Sequence, residues 1–322
     1  MVSNIEQIII SNQNCSPTPL SKASTLSKKL NIDLWLKRED CTAIGSFKIR
    51  GALISISEYA KNRNPKTDKT GICVASAGNF AISIATATKQ FNIPTTVFVP
   101  NNATPSKIKK IKSTGATIHQ KGDDFDESKF FAKEFSDTNN LTFLEDGVLE
   151  GMVSGSRTIA QEILQISHKW DALIIPIGNG SLIKGIGMEI KDQFPSMKII
   201  GVIPSGSPAM WQALNDRPWD ENKKPETTAD GLAVRIPIQK ITEEMKPFID
   251  DLWLVKEKNI LPALKSLKQY ENIICEPSAS ICLAGIYENR YDLTGKKIVA
   301  IITGSDLKDE ILEEAMNSKG LI

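Results

Sequence analysis

Gly45-Ser46-Phe47-Lys48-Ile49-Arg50-Gly51-Ala52 sets one lysine between a small, flexible entry and the start of a helical pattern. A primary amine in that position condenses with an aldehyde once it has shed its proton, which burial and neighbouring charge arrange. Alone, the octapeptide also reads as a solvated lysine at a helix start. Its meaning comes from three loops elsewhere in the chain.

Those loops sit in an alternating pattern of short apolar runs and longer helical stretches. Strands are expected at 34–36, 72–75, 95–99, 116–119, 172–177, 198–203 and 297–302. Helices are expected at about 47–61, 79–90, 105–113, 124–137, 151–166, 182–193, 257–269 and 278–290. Such alternation predicts an α/β fold with mainly parallel sheets and helices on both faces. Several strands are continuous apolar runs, as strands covered on both faces are. The stretch 204–250, rich in Pro, Asp and Lys, reads as a lid or surface excursion.

In such sheets ligands bind where strands end and the next helix begins. Ser76-Ala77-Gly78-Asn79 follows the strand at 72–75. Its glycine lets backbone approach a ligand, and its N–H groups, entering a helix, suit a carboxylate. Asn79 has an amide for a ring oxygen, and it also suits a helix N-cap. Gly178-Asn179-Gly180-Ser181-Leu182 follows the strand at 172–177 and has what a phosphate cradle without a cation needs. It is neither a Walker loop nor a full dinucleotide fingerprint. Thr303 ends the strand at 297–302 and has a hydroxyl for a ring nitrogen. An amine, a phosphate cradle, a carboxylate cradle and a hydroxyl are together the parts that hold pyridoxal phosphate carrying an amino acid.

Composition agrees and excludes other classes. The chain has 322 residues, 41% hydrophobic and 24% charged, ordinary for a globular protein. Lys plus Arg (39) nearly balance Asp plus Glu (38), so the net charge of +1 points to neither nucleic acid nor an acidic membrane surface. The basic run 107–112 has Ile108 and Ile111 in it and reads as an amphipathic helix. The cysteines Cys15, Cys41, Cys73, Cys275 and Cys282 form no Cys-x-x-Cys pair, which suits a reducing compartment. With only His119 and His168, a histidine triad or zinc site is not expected, and no metal is assigned. Despite Ile8-Ile9-Ile10, no leader and no membrane span is expected, which makes the cytoplasm the default.

The chain resembles the fold-type II pyridoxal-phosphate enzymes, the tryptophan synthase β family, and within it the threonine and serine ammonia-lyases, with features of threonine synthase. The resemblance rests on Pro17-Thr18-Pro19-Leu20, Leu36-Lys37-Arg38-Glu39-Asp40, the Lys48 octapeptide, Ser76 to Ala81, Gly178 to Leu182, Thr228 to Val234 and Glu276-Pro277-Ser278-Ala279. It implies two open, mainly parallel twisted sheets flanked by helices, with the cofactor in the cleft between a large domain (1–52 and 153–322) and a small one (53–152). It implies that Lys48 forms the Schiff base, with Phe47, Asn79, Gly178, Asn179, Gly180, Ser181, Leu182 and Thr303 also binding cofactor. Ser76, Ala77, Gly78 and Asn79 take the substrate carboxylate, and Glu276 and Gly231 stand behind them. The partners it implies are a small amino acid and a second copy of the chain in a homodimer. No regulatory module is expected after about residue 310.

Departures narrow the activity. Phe80 stands where the dehydratases usually have histidine, and Ala77 removes the racemase base. Ile49 departs from threonine synthase, yet Thr303-Gly304-Ser305-Asp306-Leu307-Lys308 and Leu149-Glu150-Gly151 with Arg157-Thr158 resemble that branch. The leading expectation is β-elimination of a hydroxy amino acid such as threonine or serine, with Lys48 taking the α-proton. A neutral hydroxyl from Thr303 is expected not to hold a protonated ring as aspartate would. The alternatives are β- or γ-replacement on a phosphorylated amino acid, with Arg157, Lys184 and Arg235 as phosphate partners, and a non-catalytic protein of the same fold. Glu226 and Asp230 are the candidates for any bound cation.

Overall fold

The computed structural model describes residues 16–64, 70–166 and 169–322; Cys15, the Ile8-Ile9-Ile10 run and His168 lie outside them. In chain order, the first elements are β1 (Leu20–Lys22), α1 (Ser24–Leu30), β2 (Asp33–Arg38), α2 (Lys48–Asn62), β3 (Ile72–Ala75) and α3 (Asn79–Gln90). There follow β4 (Thr95–Val99), α4 (Pro105–Ser113), β5 (Thr117–Gln120), α5 (Phe125–Thr138), β6 (Thr142–Leu144) and α6 (Glu150–Leu164). Next come β7 (Ala172–Pro176), α7 (Ser181–Gln193), β8 (Lys198–Pro204), α8 (Ala209–Leu214), α9 (Gln239–Met245) and β9 (Asp251–Val255). The chain closes with α10 (Ile260–Glu271), α11 (Pro277–Glu288), β10 (Lys297–Ile302) and α12 (Asp309–Asn317).

The residues form two compact units, 48–155 and 17–47 with 156–322. The sequence draws these borders at 52/53 and 152/153. The structure moves them because the start of α2 packs backbone to backbone on the start of α6. A Cβ on Gly51 would collide with the Met152 backbone, and one on Gly155 with the Gly51 backbone.

The smaller unit holds a four-stranded, all-parallel sheet in the order β5-β4-β3-β6. β3 is central and wholly buried, which its apolar sequence Ile-Cys-Val-Ala requires. The larger unit holds six strands in the order β1-β2-β10-β7-β8-β9. All pairs there are parallel except β1 with β2. One apolar cluster gathers Leu34, Leu264 and Leu283, and a second Ile159, Leu173 and Ile186.

The stretch 204–250 is no free excursion. It contains α8 and α9, and it buries Met210, Leu232 and Met245, so apolar side chains anchor it despite its polar composition.

A buried ionic cluster joins the Pro17-Thr18-Pro19-Leu20 and Leu36-Lys37-Arg38-Glu39-Asp40 segments in the larger unit. Lys37, fully buried, donates to the Thr18 carbonyl at 2.7 Å and pairs with Glu162. The Thr18 hydroxyl donates to Glu39, also fully buried, at 2.6 Å. Charges so enclosed persist only when paired and hydrogen-bonded.

Candidate active site

Each unit carries its own set of site residues. In the smaller unit, Lys48 is the first residue of α2, and its amine is ion-paired with Asp146. Asp146 lies just past the C-terminal end of β6, the strand beside β3. The same amine lies 5.6 Å from the centre of the Phe80 ring. Phe80 is only 2% exposed, so it is an apolar wall bearing on the lysine, and a cation over its face is worth about 0.5–2 kcal/mol. That explains a phenylalanine where the resemblance leads one to expect histidine.

Ser76, Ala77 and Gly78 follow the C-terminal end of β3, and Asn79 opens α3. The Ser76 N–H donates to the Phe98 carbonyl at 3.1 Å, and the Gly78 N–H to the Ser76 hydroxyl oxygen at 3.1 Å. Those two N–H groups are therefore engaged within the fold. What remains for an anion is the Ser76 O–H and the first-turn N–H groups of α3, which have no intrahelical acceptor. At Gly78 an added Cβ would meet nothing within 4 Å, so the loop has open space on that side.

In the larger unit, Gly178, Asn179 and Gly180 follow β7, while Ser181 and Leu182 begin α7. Gly180 has φ +93°, and a Cβ there would lie 2.5 Å from Met245 Sδ. A Cβ on Gly178 would lie 2.8 Å from the Gly231 carbonyl oxygen. The Gly231 N–H in turn donates to the Ser278 hydroxyl oxygen at 3.0 Å. The Thr228–Val234 and Glu276–Ala279 blocks, far apart in sequence, thus meet at the glycine loop.

Thr303 follows β10, which neighbours β7. Its hydroxyl donates to Glu276 Oε1 at 3.0 Å. The Thr303 carbonyl accepts the Phe47 N–H at 3.0 Å, and Ser46 bridges to Gly304. Thr42 fixes that approach: its hydroxyl donates to the Ser46 carbonyl at 2.9 Å and accepts the Ser46 N–H at 2.8 Å.

Asp146, the ion-pair partner of Lys48, is the contact that sequence reasoning missed. It follows a three-residue strand too short to register as a pattern, and its partner is 98 positions away. Two of the three cationic candidates for a phosphorylated substrate, Arg157 and Lys184, are otherwise engaged. Arg157 pairs with Glu189 at 2.9 Å and Lys184 with Glu244 at 2.7 Å. Lys184 holds the Glu244 carboxyl below its ordinary value. His119 stacks on Phe98 at 4.9 Å between ring centres. Among the described residues, no three His, Cys, Asp or Glu side chains gather to hold a metal, and both Glu226 and Asp230 are exposed.

This donor set fits pyridoxal phosphate. Gly178 and Gly180 form a cradle that side chains would fill, at the head of a 13-residue helix. A buried hydroxyl ends the adjacent strand β10 of the same unit.

Comparison with known proteins points the same way. L-threonine ammonia-lyase of Thermotoga maritima is 31% identical over 305 residues, covering 95% of this chain and 75% of the relative. A catabolic L-threonine dehydratase of Staphylococcus aureus is 32% identical over 317 residues, covering 95% and 90%. The structure of the processed form of threonine deaminase isoform 2 from Solanum lycopersicum superposes with a TM-score of 0.87 at 29% identity, covering 97% of this chain and 91% of that one. The family described as pyridoxal-phosphate dependent enzyme matches residues 12–304, and the chain belongs to it.

Proposed function

We propose that this protein is a pyridoxal-phosphate-dependent ammonia-lyase that carries out β-elimination on threonine or serine, giving a keto acid and ammonia. The observation that carries the reading is the Lys48 amine held by Asp146, on the unit whose sheet also presents the Ser76–Asn79 loop. The curated relatives named as threonine ammonia-lyase and dehydratase support it.

Lys48 would hold the cofactor, with the loop 178–182 taking its phosphate, Asn79 its ring hydroxyl and Thr303 its ring nitrogen. When bound, pyridoxal phosphate supplies an aldehyde for the amino group and a ring that draws electron density from the α-carbon. The freed Lys48 amine accepts the α-proton, and Asp146 holds the ammonium that results. The Ser76 O–H and the first-turn N–H groups of α3 orient the substrate carboxylate. The Phe80 ring covers one side of the amine and keeps water from it. Ala77 has no basic group, so racemisation through that position is not expected.

The purified protein should take up pyridoxal phosphate with a visible absorbance band that Lys48→Ala removes. Threonine or serine should give keto acid and ammonia. Phosphate release from O-phosphohomoserine without keto acid from threonine would favour replacement chemistry instead. Against that outcome stand the ion pairs that occupy Arg157 and Lys184. We also read the protein as a cytoplasmic homodimer, to be checked by cell fractionation and light scattering. Among the described residues, no helix is long and apolar enough to cross a membrane.

A further inference from the structure

Ser278 ties an exposed turn to a rigid helix beside the glycine loop. It lies in the first turn of α11, where Pro277 through Ile286 are all buried, and is itself 2% exposed. The Glu276 N–H fixes the start of that helix by donating to the Gly304 carbonyl at 3.0 Å. Gly231 is the opposite case. It sits in the single turn Asp230–Leu232 and is exposed, although Ala229 and Leu232 on either side are buried. Packing therefore anchors the flanks of the turn and leaves Gly231 to be placed by specific bonds. Its N–H donates to Ser278 Oγ at 3.0 Å. A backbone N–H only donates, so the sense of this bond is fixed.

Gly231 passes this constraint on to the loop. A Cβ on Gly231 would lie 2.8 Å from Ser278 Oγ, and a Cβ on Gly178 would lie 2.8 Å from the Gly231 carbonyl oxygen. Close contact thus runs unbroken from α11 through the turn to the first residue of the loop 178–182. Two residues on, the loop meets a different kind of wall: a Cβ on Gly180 would lie 2.5 Å from Met245 Sδ and 3.3 Å from Ile241 Cγ2. That wall is held by apolar packing, whereas the wall at Gly178 depends on one hydrogen bond.

We infer that Ser278 is a positioning residue for the cofactor phosphate: by holding Gly231 against Gly178, it sets the shape of the loop that receives the phosphate. The inference rests on the reading that the loop 178–182 takes that group. Without the Ser278 oxygen, the Gly231 N–H loses its acceptor and turns to water. The turn then loses its tie to α11, and Gly178 loses the fixed surface it packs on. The loop's N–H groups diverge, and a divergent set holds an anion less well than a preorganised one. The part of the cofactor without phosphate has no share in this loss.

The test titrates the full chain, freed of cofactor, with pyridoxal phosphate and with pyridoxal, which lacks the phosphate, and follows quenching of tryptophan fluorescence. Wild type should bind pyridoxal phosphate the more tightly. Ser278→Ala should cut that preference about 2- to 12-fold, the worth of one hydrogen bond, by weakening pyridoxal phosphate alone. Ser278→Cys, whose sulfur is a weak acceptor, should fall between the two. Ser280→Ala is the control. Ser280 is fully buried in the same helix turn, but its hydroxyl donates to the Ile260 carbonyl at 3.0 Å, away from the loop. That variant should unfold at lower urea and keep the wild-type preference. An unchanged preference in Ser278→Ala, equal weakening of both ligands, or the same loss of preference in Ser280→Ala overturns the inference. If Ser278→Ala does not fold, a wild-type preference in Ser278→Cys overturns it. A wild type that binds both ligands equally refutes the phosphate-loop reading itself, and the inference falls with it.

Discussion

Gly78→Ala tests the carboxylate loop with little interference from the fold. Gly78 is the N-cap of α3, with φ −120° and ψ −155°, an extended conformation open to any residue. An alanine Cβ there meets nothing within 4 Å. The substitution should shift stability by no more than about 1 kcal/mol, because the unfolded chain loses freedom while alanine caps a helix less well than glycine. The open space beside Gly78 is where a substrate carboxylate would approach the Ser76 hydroxyl and the α3 N–H groups. A methyl group there displaces it. Losing one hydrogen bond to a charged group costs about 1.5–3 kcal/mol. At 1.4 kcal/mol per tenfold, KM for threonine or serine should rise roughly 10- to 150-fold. Urea unfolding and steady-state kinetics on the same preparation measure the two effects. An alanine variant as stable as wild type with an unchanged KM would refute the placement of the carboxylate at this loop.

Other expectations follow from single contacts. Gly180→Ala and Gly115→Ala share φ +93°, but only the first meets side chains, so it should be the less stable of the two by about 1–3 kcal/mol and should also bind pyridoxal phosphate more weakly by titration. Lys37→Met leaves Glu39 and Glu162 without that cation and should cost about 3–5 kcal/mol in urea unfolding; a loss under about 1 kcal/mol would show the cluster to be dispensable. Asp146→Asn should lower kcat more than it raises KM, and equal activity in the asparagine variant would remove the carboxylate from the proposed mechanism. Burial pushes the Cys73 thiol up to about 12 and raises those of Cys275 and Cys282, so in neutral buffer an alkylating reagent should label exposed Cys41 well before these three, as mass spectrometry of digests would show.

Much of the architecture was legible because long elements carry their own signal. β3, β4 and β10 run over the residues expected of them, and α3 and α4 likewise. The site loops were legible for the same reason: each follows a strand that reads as an apolar run, so its place at a strand end was implied. What stayed hidden was short or held by distant partners. β1 and β6 have three residues each, below any period. β9, Asp-Leu-Trp-Leu-Val, is apolar in sequence yet only five residues long and partly exposed, and it follows a polar stretch that masks it. Within 204–250, single apolar residues such as Met210 and Met245 do the anchoring, and isolated residues make no pattern. The pairing of Lys48 with Asp146 and of Thr303 with Glu276 depends on folding, and no spacing encodes either.

The glycine seam between α2 and α6 bears on how this enzyme could be redesigned. Gly51, Gly151 and Gly155 bring the two backbones so close that none tolerates a side chain without movement of its neighbour. Lys48 therefore stands on a mount with no slack, and libraries that vary the seam would mostly return unfolded protein. Productive diversity lies in the half-buried positions 76–79, where side chains can change without disturbing the mount.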